Sequence, residues 1–167
     1  MPEKYKRYFL KTREAKILLK KASEKIKFGL EQVLTVKAKV ELVKTEIAEI
    51  YIFDGKPLLA KIGEKIFPTL VFNEFLNYAP KIVVDMGAVP HICNGANVMA
   101  PGIVQIEGEF GKGEFVVVVD EKHRKPLAIG ETEYGTEELK SAKHGVAVKN
   151  IHYIGDHIWN FSKRLVQ

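Results

Sequence analysis

Apolar positions in the first 29 residues follow a helical spacing, after a short strand or extended lead YFLK. The segment TREAKILLKKASEKIKFG, residues 12–29, predicts an amphipathic helix with Thr12 as its N-cap and Gly29 just past its end. The predicted buried stripe consists of Ile17, Leu18, Leu19, Ala22 and Ile26. The opposite face is predicted to be basic and carries Arg13, Lys16, Lys20 and Lys27.

From residue 33 the pattern changes to the alternation and β-branched residues that are typical of strands. Three segments are predicted strands: VLTVKAKV, ELVKTEIAEIYIF and KPLLAKI. Asp54 and Gly55 lie between the last two and predict a tight hairpin, because a type I′ turn needs positive φ at both central residues. LVFNEFLNY, residues 70–78, predicts a helix that Pro80 ends. Residues 1–79 are therefore predicted to form a small mixed α/β domain.

Residues 80–167 are predicted to form a second domain from short strands and glycine-rich turns. The predicted strands are KIVVD, IVQIEGEF, EFVVVVD, PLAIG, VAVKNIHYI and HIWNF. One helix, TEELKSAKHG, is marked by Thr136 as its predicted cap and by Gly145 at its end. Short strands at close intervals favour a small barrel.

The segment GAVPHICNGANVMAPGI, residues 87–103, is unusually rich in glycine and proline. It predicts a short helix over residues 88–94 that Gly95 terminates, with main chain left accessible. Amides near the helix start are expected to accept a phosphate, and the side chains of His91, Asn94 and Asn97 offer hydrogen bonds to bases or sugars. The alternative is that the glycines serve turn geometry alone and that Val98 and Met99 belong to the core.

The positive charge of the chain indicates the kind of partner that it binds. The chain holds 26 Lys and Arg against 21 Asp and Glu, a net charge of +5, and residues 1–80 alone hold 16 against 10. A basic first half indicates a polyanion partner such as RNA. The alternative is that these lysines are the solvated surface of a very stable protein.

Catalytic and metal-binding patterns are sparse. Cys93 is the single cysteine, which excludes an internal disulfide, and with His91 it supplies too few ligands for a metal site. His152 and His157 flank a Gly-Asp turn, which they are predicted to support, and no phosphate-binding loop motif occurs. We expect no enzyme activity, cofactor or metal. No segment is long and apolar enough for a membrane span or signal peptide, so we expect a cytoplasmic protein without a membrane partner.

The hairpin DEKHRKP, residues 120–126, is a further candidate contact. It carries Arg124 among other cations that could meet phosphate, although a solvated loop is the alternative. Asp120 is predicted to be exposed at its tip, with no perturbed pKa.

The order KIVVDMGAVPHICNGANVMAPGIV, GEFVVVVDE, KPLAIG and TEELKSAKHGVAVKNI resembles the PUA domain, named for pseudouridine synthase and archaeosine transglycosylase. The resemblance implies an α+β chain whose carboxyl-terminal half is a PUA pseudo-β-barrel. It also implies binding of structured RNA through the first short helix, the glycine-rich loop after it and a neighbouring late strand. The predicted RNA-binding residues are Gly87, Ala88, His91, Asn94, Gly95, Ala96, Asn97, Met99, Pro101, Gly102, Arg124 and His152.

DGKPLLAKIGEKIFPTL, joined to a PUA domain that finishes GVAVKNIHYIGDHIW, resembles the malignant-T-cell-amplified-sequence family and the amino-terminal half of ligatin. The resemblance implies a translation factor that acts on the small ribosomal subunit and on tRNA, with a SUI1-domain partner, in initiation, reinitiation or removal of deacylated tRNA. One alternative is an accessory protein that presents tRNA or guide RNA to a separate modification enzyme. Another is a protein-interaction module whose lysines only keep it in solution.

Overall fold

The computed structural model describes residues 4–34 and 39–166. Its first half contains an antiparallel sheet of five strands in the order β1-β2-β3-β4-β5. The strands are β1 (Lys6–Phe9), β2 (Val40–Lys44), β3 (Glu49–Phe53), β4 (Lys56–Ile62) and β5 (Lys65–Pro68). The helices are α1 (Thr12–Lys25), α2 (Leu30–Val33) and α3 (Asn73–Tyr78). Part of the predicted strand VLTVKAKV, residues 35–38, lies outside the described residues.

The second half contains a six-stranded sheet that forms a half-barrel, in the order β7-β11-β10-β9-β6-β8. Its strands are β6 (Lys81–Val84), β7 (Val98–Met99), β8 (Ile103–Glu107), β9 (Phe115–Asp120), β10 (Pro126–Thr132) and β11 (Val146–Tyr153). Its helices are α4 (Val89–Ile92), α5 (Thr136–Ser141) and α6 (His157–Leu165). Strands β6 and β9 run parallel, and the other neighbouring pairs are antiparallel. The predicted fold class is confirmed.

The helix α1 forms where predicted, but its start and its buried stripe differ. Thr12 is the first helical residue, and Lys11 occupies the N-cap position, where its backbone N–H donates to the Glu14 carboxylate at 3.0 Å. Ile17 is 47% exposed, so its predicted burial is wrong. The buried residues are Ala15, Leu18, Leu19 and Ala22, followed by Ile26. At about 100° per residue Ile17 lies on the side opposite to these, with the cations.

The predicted hairpin forms, and the helix α3 starts later than predicted. Asp54 and Gly55 have φ values of 50° and 81° and connect β3 to β4, which confirms the predicted hairpin. The helix α3 begins at Asn73 rather than at residue 70. The three residues after β5 turn first, and the backbone N–H of Phe72 donates to the Thr69 carbonyl at 3.2 Å.

The predicted strand HIWNF is wrong, because these residues begin the helix α6. Asp156 is the N-cap, and its carboxylate accepts the backbone N–H of Trp159 at 2.8 Å. Ile158 and Phe161, three residues apart, are buried on the same side of the helix. Phe161 packs on the first sheet against three buried residues, Val43, Ile50 and Ile52. A helix from the second half of the chain therefore covers one face of the first sheet.

The N-cap of α5 is Gly135 rather than the predicted Thr136. Thr136 is buried, and its hydroxyl donates to the Phe110 carbonyl at 3.0 Å while accepting the Phe110 N–H at 2.8 Å. This threonine therefore fastens the loop between β8 and β9 to the start of α5.

One core cluster crosses from one half to the other. It joins the buried side of α1 and the first sheet to residues of the half-barrel, among them Val83, Phe115, Val117 and Val119. A second cluster fills the inside of the half-barrel and includes Ile82, Val116, Val118 and Val148. Because β6 and β9 are buried on both faces, their alternate side chains serve both clusters.

Candidate nucleic-acid interface

The short helix α4 forms where predicted but is shorter, Val89–Ile92 rather than residues 88–94, with Pro90 in its first turn and Gly95 at φ 95° three residues after its end. The N–H of Ala88 donates to the side-chain Oδ1 of Asp85 at 2.9 Å and to its carbonyl at 3.1 Å. The predicted phosphate contact is therefore wrong for the amide of Ala88. Its hydrogen is already bonded, and a carboxylate lies at this end of the helix.

The loop of residues 93–97 after α4 is held by β11. The Asn150 amide nitrogen donates to the carbonyls of Ile92 and Ala96, both at 3.0 Å. The backbone N–H of Asn150 donates to the side-chain oxygen of Asn97 at 2.9 Å. Three hydrogen bonds thus converge on one residue that the sequence reasoning did not single out.

Two predicted glycines pack against the protein itself. A Cβ on Gly95 would lie 3.2–3.3 Å from two ring carbons and the hydroxyl oxygen of Tyr153, so a side chain at this position would crowd β11. A Cβ on Gly102 would meet the Cβ of Ala88 at an ordinary 3.5 Å. The absence of a side chain at Gly95 therefore serves the contact with Tyr153.

Most of the predicted residues between 87 and 102 reach solvent. The exposed ones are Gly87, His91, Asn94, Ala96, Asn97, Met99 and Pro101. The half-buried ones are Ala88, Gly95 and Gly102. Val98 is 2% exposed and belongs to the core, whereas Met99 is 48% exposed and does not. This segment presents polar side chains and an exposed thioether on a fixed backbone.

The prediction for His152 is wrong, because this side chain is fully buried and cannot contact RNA. Its Nε2 accepts the backbone N–H of Leu70 at 3.1 Å, and its Nδ1 lies 2.8 Å from the Asp156 carboxylate. Burial alone would raise the pKa of Asp156, but hydrogen bonds from His152, Trp159 and Tyr153 hold that pKa below its ordinary value. His152 supports the turn, as the sequence predicted, and it also joins the two halves of the molecule.

Arg124 lies on the turn between β9 and β10 with φ 57°. Its side chain is 45% exposed and its guanidinium forms an ion pair with Glu107, on β8. The geometry allows Arg124 to meet a phosphate only in competition with this carboxylate.

Asp120 is 4% exposed, so its predicted exposure at the hairpin tip is wrong. Its carboxylate accepts backbone N–H groups from Lys122, His123 and Lys125. These hydrogen bonds, the one from His123 foremost, lower the pKa of Asp120. The residue shapes the turn that carries Arg124.

The predicted basic face is only partly assembled. Arg13, Lys16 and Lys20 are exposed on α1, and the exposed Ile17 lies among them. Lys27 is not on the helix, which ends at Lys25. It lies in the following turn and lines a groove of about 540 Å³ between the two halves, with Tyr78, Pro80 and Lys81 on the wall.

A cation of α1 outside the predicted face joins the helix to the half-barrel. The Lys25 ammonium lies 3.0 Å from the carboxylate of Glu131 and donates to the carbonyl of Gly113 at 2.6 Å. Lys65 also contacts Glu131, at 3.0 Å. Burial would raise the pKa of Glu131, but the two ammonium groups lower it.

Known proteins resemble this chain over nearly its whole length. A family model for the PUA domain matches residues 80–154, and one described as a domain of unknown function (DUF1947) matches residues 6–74. Translation machinery-associated protein 20 of Saccharomyces cerevisiae is 34% identical over 158 residues, which cover 90% of this chain and 87% of that protein. The chain belongs to the translation machinery-associated protein 20 family. It therefore carries a PUA domain, which is an RNA-binding domain.

Other relatives extend this family. An uncharacterized protein of Methanocaldococcus jannaschii is 40% identical, with 93% of this chain and 96% of that protein covered. Malignant T-cell-amplified sequence 1 of Rattus norvegicus is 27% identical, with 78% of this chain and 76% of that protein covered. The predicted resemblances to the PUA domain and to the malignant-T-cell-amplified-sequence family are thereby confirmed.

Solved structures agree with the fold of this family member. The crystal structure of a PUA domain protein from Aeropyrum pernix K1, in a tartrate complex, has a TM-score of 0.84 at 26% identity and covers 98% of this chain and 94% of that chain. A hypothetical protein of Pyrococcus horikoshii OT3 has a TM-score of 0.77 at 36% identity and covers 94% and 99%.

Across residues 4–34 and 39–166, no helix is long and apolar enough to cross a membrane. Within the same residues, no group of three or more His, Cys, Asp and Glu side chains is placed to hold a metal ion.

Proposed function

We propose that this protein binds RNA through residues 87–102 of its PUA domain and acts in translation, on the small ribosomal subunit, on tRNA or on both. The observation that carries the proposal is the exposed segment from α4 to β7, whose loop is fastened to β11. A fixed, glycine-containing backbone with exposed amide and imidazole side chains suits single-stranded or terminal nucleotides. Membership of the family supports the assignment to translation.

The basic face of α1 is proposed to add phosphate contacts. Arg13, Lys16 and Lys20 are exposed, and the first 80 residues carry the excess positive charge of the chain. Such contacts raise affinity without reading sequence, and they make the affinity depend on salt. Lys27 faces the groove between the halves and is not included in this face.

The remaining elements of the proposal follow from the family. We propose that the protein works in the cytoplasm without enzyme activity, in initiation, reinitiation or recycling, with a SUI1-domain protein as a partner. We also propose that residues 1–79 and 80–167 are its two domains, although α6 packs across the boundary onto the first sheet. An accessory role in tRNA or rRNA modification is the alternative.

Ultraviolet cross-linking in a native lysate tests the proposal, with sequencing of the attached RNA and mapping of the cross-linked peptides. Small-subunit ribosomal RNA or tRNA 3′ ends attached to residues 87–102 are the expected result. Guide RNA, or tRNA bodies without ribosomal RNA, would favour the modification accessory. If RNA recovery stays at background, the RNA-binding assignment is wrong and a protein-interaction module remains.

The contribution of α1 is tested by the salt dependence of affinity. Replacing Lys16 and Lys20 by Gln should flatten the plot of log affinity against log salt, by about 0.7 to 0.9 per lost phosphate contact. Replacing Lys140, on α5, and Lys143, just after it, by Gln removes the same charge from two exposed positions and serves as the control. Equal slopes for the two variants would remove α1 from the interface.

A further inference from the structure

We propose that Asn150 is the positioning residue of the RNA site, and this inference rests on the proposed function. Its side chain lies beneath the loop of residues 93–97 and sets the loop's shape before RNA arrives. Neither the family models nor the names of the relatives assign a role to this position.

The contacts of Asn150 fix both ends of the loop. Its amide nitrogen bonds the carbonyl of Ile92, where α4 ends, and the carbonyl of Ala96, four residues later. Its backbone N–H bonds the side-chain oxygen of Asn97. Since that oxygen is held, the Asn97 amide nitrogen keeps its direction. One residue of β11 therefore determines where the main chain and one polar side chain of the site lie.

The rest of the loop has only short-range support. Its amides bond within the same turn, with Gly95 N–H donating to the Ile92 carbonyl and Ala96 N–H to the His91 carbonyl, both at 3.0 Å. Tyr153 packs under Gly95 but supplies no hydrogen bond to the loop among the described contacts. The Asn150 side chain is thus the long-range polar tether of this loop, and it spans 54 to 58 positions in sequence.

The chemistry at this position calls for an amide. Two carbonyl oxygens need two N–H donors on one uncharged group, which the Asn side chain supplies. A carboxylate of the same shape would place negative charge against both oxygens. The side-chain oxygen of Asn150 is buried without a hydrogen-bond partner among the described residues, an arrangement that opposes stability. Because the unpaired oxygen is unfavourable for folding, we infer that Asn150 serves its two donor contacts with the loop rather than the stability of the fold.

The test compares Asn150→Asp and Asn150→Ala with the wild type. Deacylated total tRNA and purified small-subunit ribosomal RNA serve as probes. Losing two hydrogen bonds that preorganise the site is expected to raise Kd about tenfold for the RNA that the wild type binds. For Asn150→Ala, which leaves the charge unchanged, the slope of affinity against salt should equal that of the wild type, because no phosphate contact is removed. Hydrogen exchange of the amides of residues 94–97 should accelerate, while that of β9 and β10 stays slow.

Val118→Ala is the matched control, since Val118 on β9 is fully buried, faces the inside of the half-barrel and pairs with no residue of the segment 87–102. It is expected to lower stability without changing Kd. An equal loss of affinity in Val118→Ala would make the Asn150 effect one of stability and overturn the proposal. So would faster loop exchange with an unchanged Kd, or a flatter salt slope in Asn150→Ala, which indicates a direct phosphate contact. If the wild type itself binds neither probe, the proposed function fails before any variant is measured.

Discussion

Gly130, on β10, has the tightest surroundings of any glycine in the described residues. A Cβ built there would lie 2.3 Å from the Val148 Cγ1, 3.2 Å from the Lys149 carbonyl oxygen and 3.6 Å from the Val118 Cγ2. The first distance is shorter than any real carbon contact, and a β-branched valine has little rotamer freedom to move away. Gly130→Ala should therefore force a shift within the half-barrel.

The magnitude follows from overpacking. One inserted methyl group in a filled core costs about 1–3 kcal/mol, and we expect the upper half of that range because a backbone carbonyl also crowds the site. Val148→Ala alone removes two buried methyl groups and should cost about 2 kcal/mol. In the double variant the new methyl group of residue 130 occupies part of the vacated space. The double variant should therefore lose about 1–2 kcal/mol less stability than the sum of the losses in the two single variants.

These free energies are measured by urea unfolding followed by fluorescence. When the slope of the unfolding free energy against urea concentration is unchanged, a shift of the midpoint reports the change in stability. Gly87→Ala is the control, because its added Cβ would meet nothing closer than an Asp85 oxygen at 3.4 Å, and a change within about 0.5 kcal/mol is expected. The reasoning is refuted if Gly130→Ala unfolds at the wild-type midpoint, or if the two single costs simply add in the double variant.

Three further predictions concern charge. Asp156 has a lowered pKa when folded, so the stability it confers is present above its unfolded pKa of about 3.9 and is lost as pH falls through the folded value. Asp156→Asn should lower stability at pH 7. It should also make stability fall less steeply as the pH is lowered, as measured by acid unfolding followed by circular dichroism. Glu131→Gln should cost about 1 kcal/mol in urea unfolding, because Lys25 and Lys65 both remain beside a neutral amide; an unchanged midpoint would contradict this. In filter binding, combining Lys16→Gln with Asn150→Ala should give additive losses of affinity, and strong coupling would place the two residues in one contact.

Part of the candidate site was predictable because its signals are local. The short helix α4 and its end follow from Pro90 and Gly95, whose backbone preferences do not depend on distant residues. The sequence also indicated hydrogen-bonding side chains at His91, Asn94 and Asn97 in this segment. Asn150 gave no such signal. It is one polar residue within a strand of alternating type, and its partners lie more than 50 positions away.

The sequence by itself determined five of the six half-barrel strands, the Asp54-Gly55 hairpin, the position of α1 and the PUA resemblance, because periodicity and turn residues act over a few neighbours. Tertiary structure decided what depends on burial. His152 became a buried link to Leu70, and HIWNF became a helix because Asp156 caps it and the first sheet covers Phe161. Lys27 is not part of the basic face, because α1 ends at Lys25 and Lys27 lies in the following turn, on the groove between the halves. Packing between the halves sets these features, and the hydrophobic pattern of either half alone does not specify them.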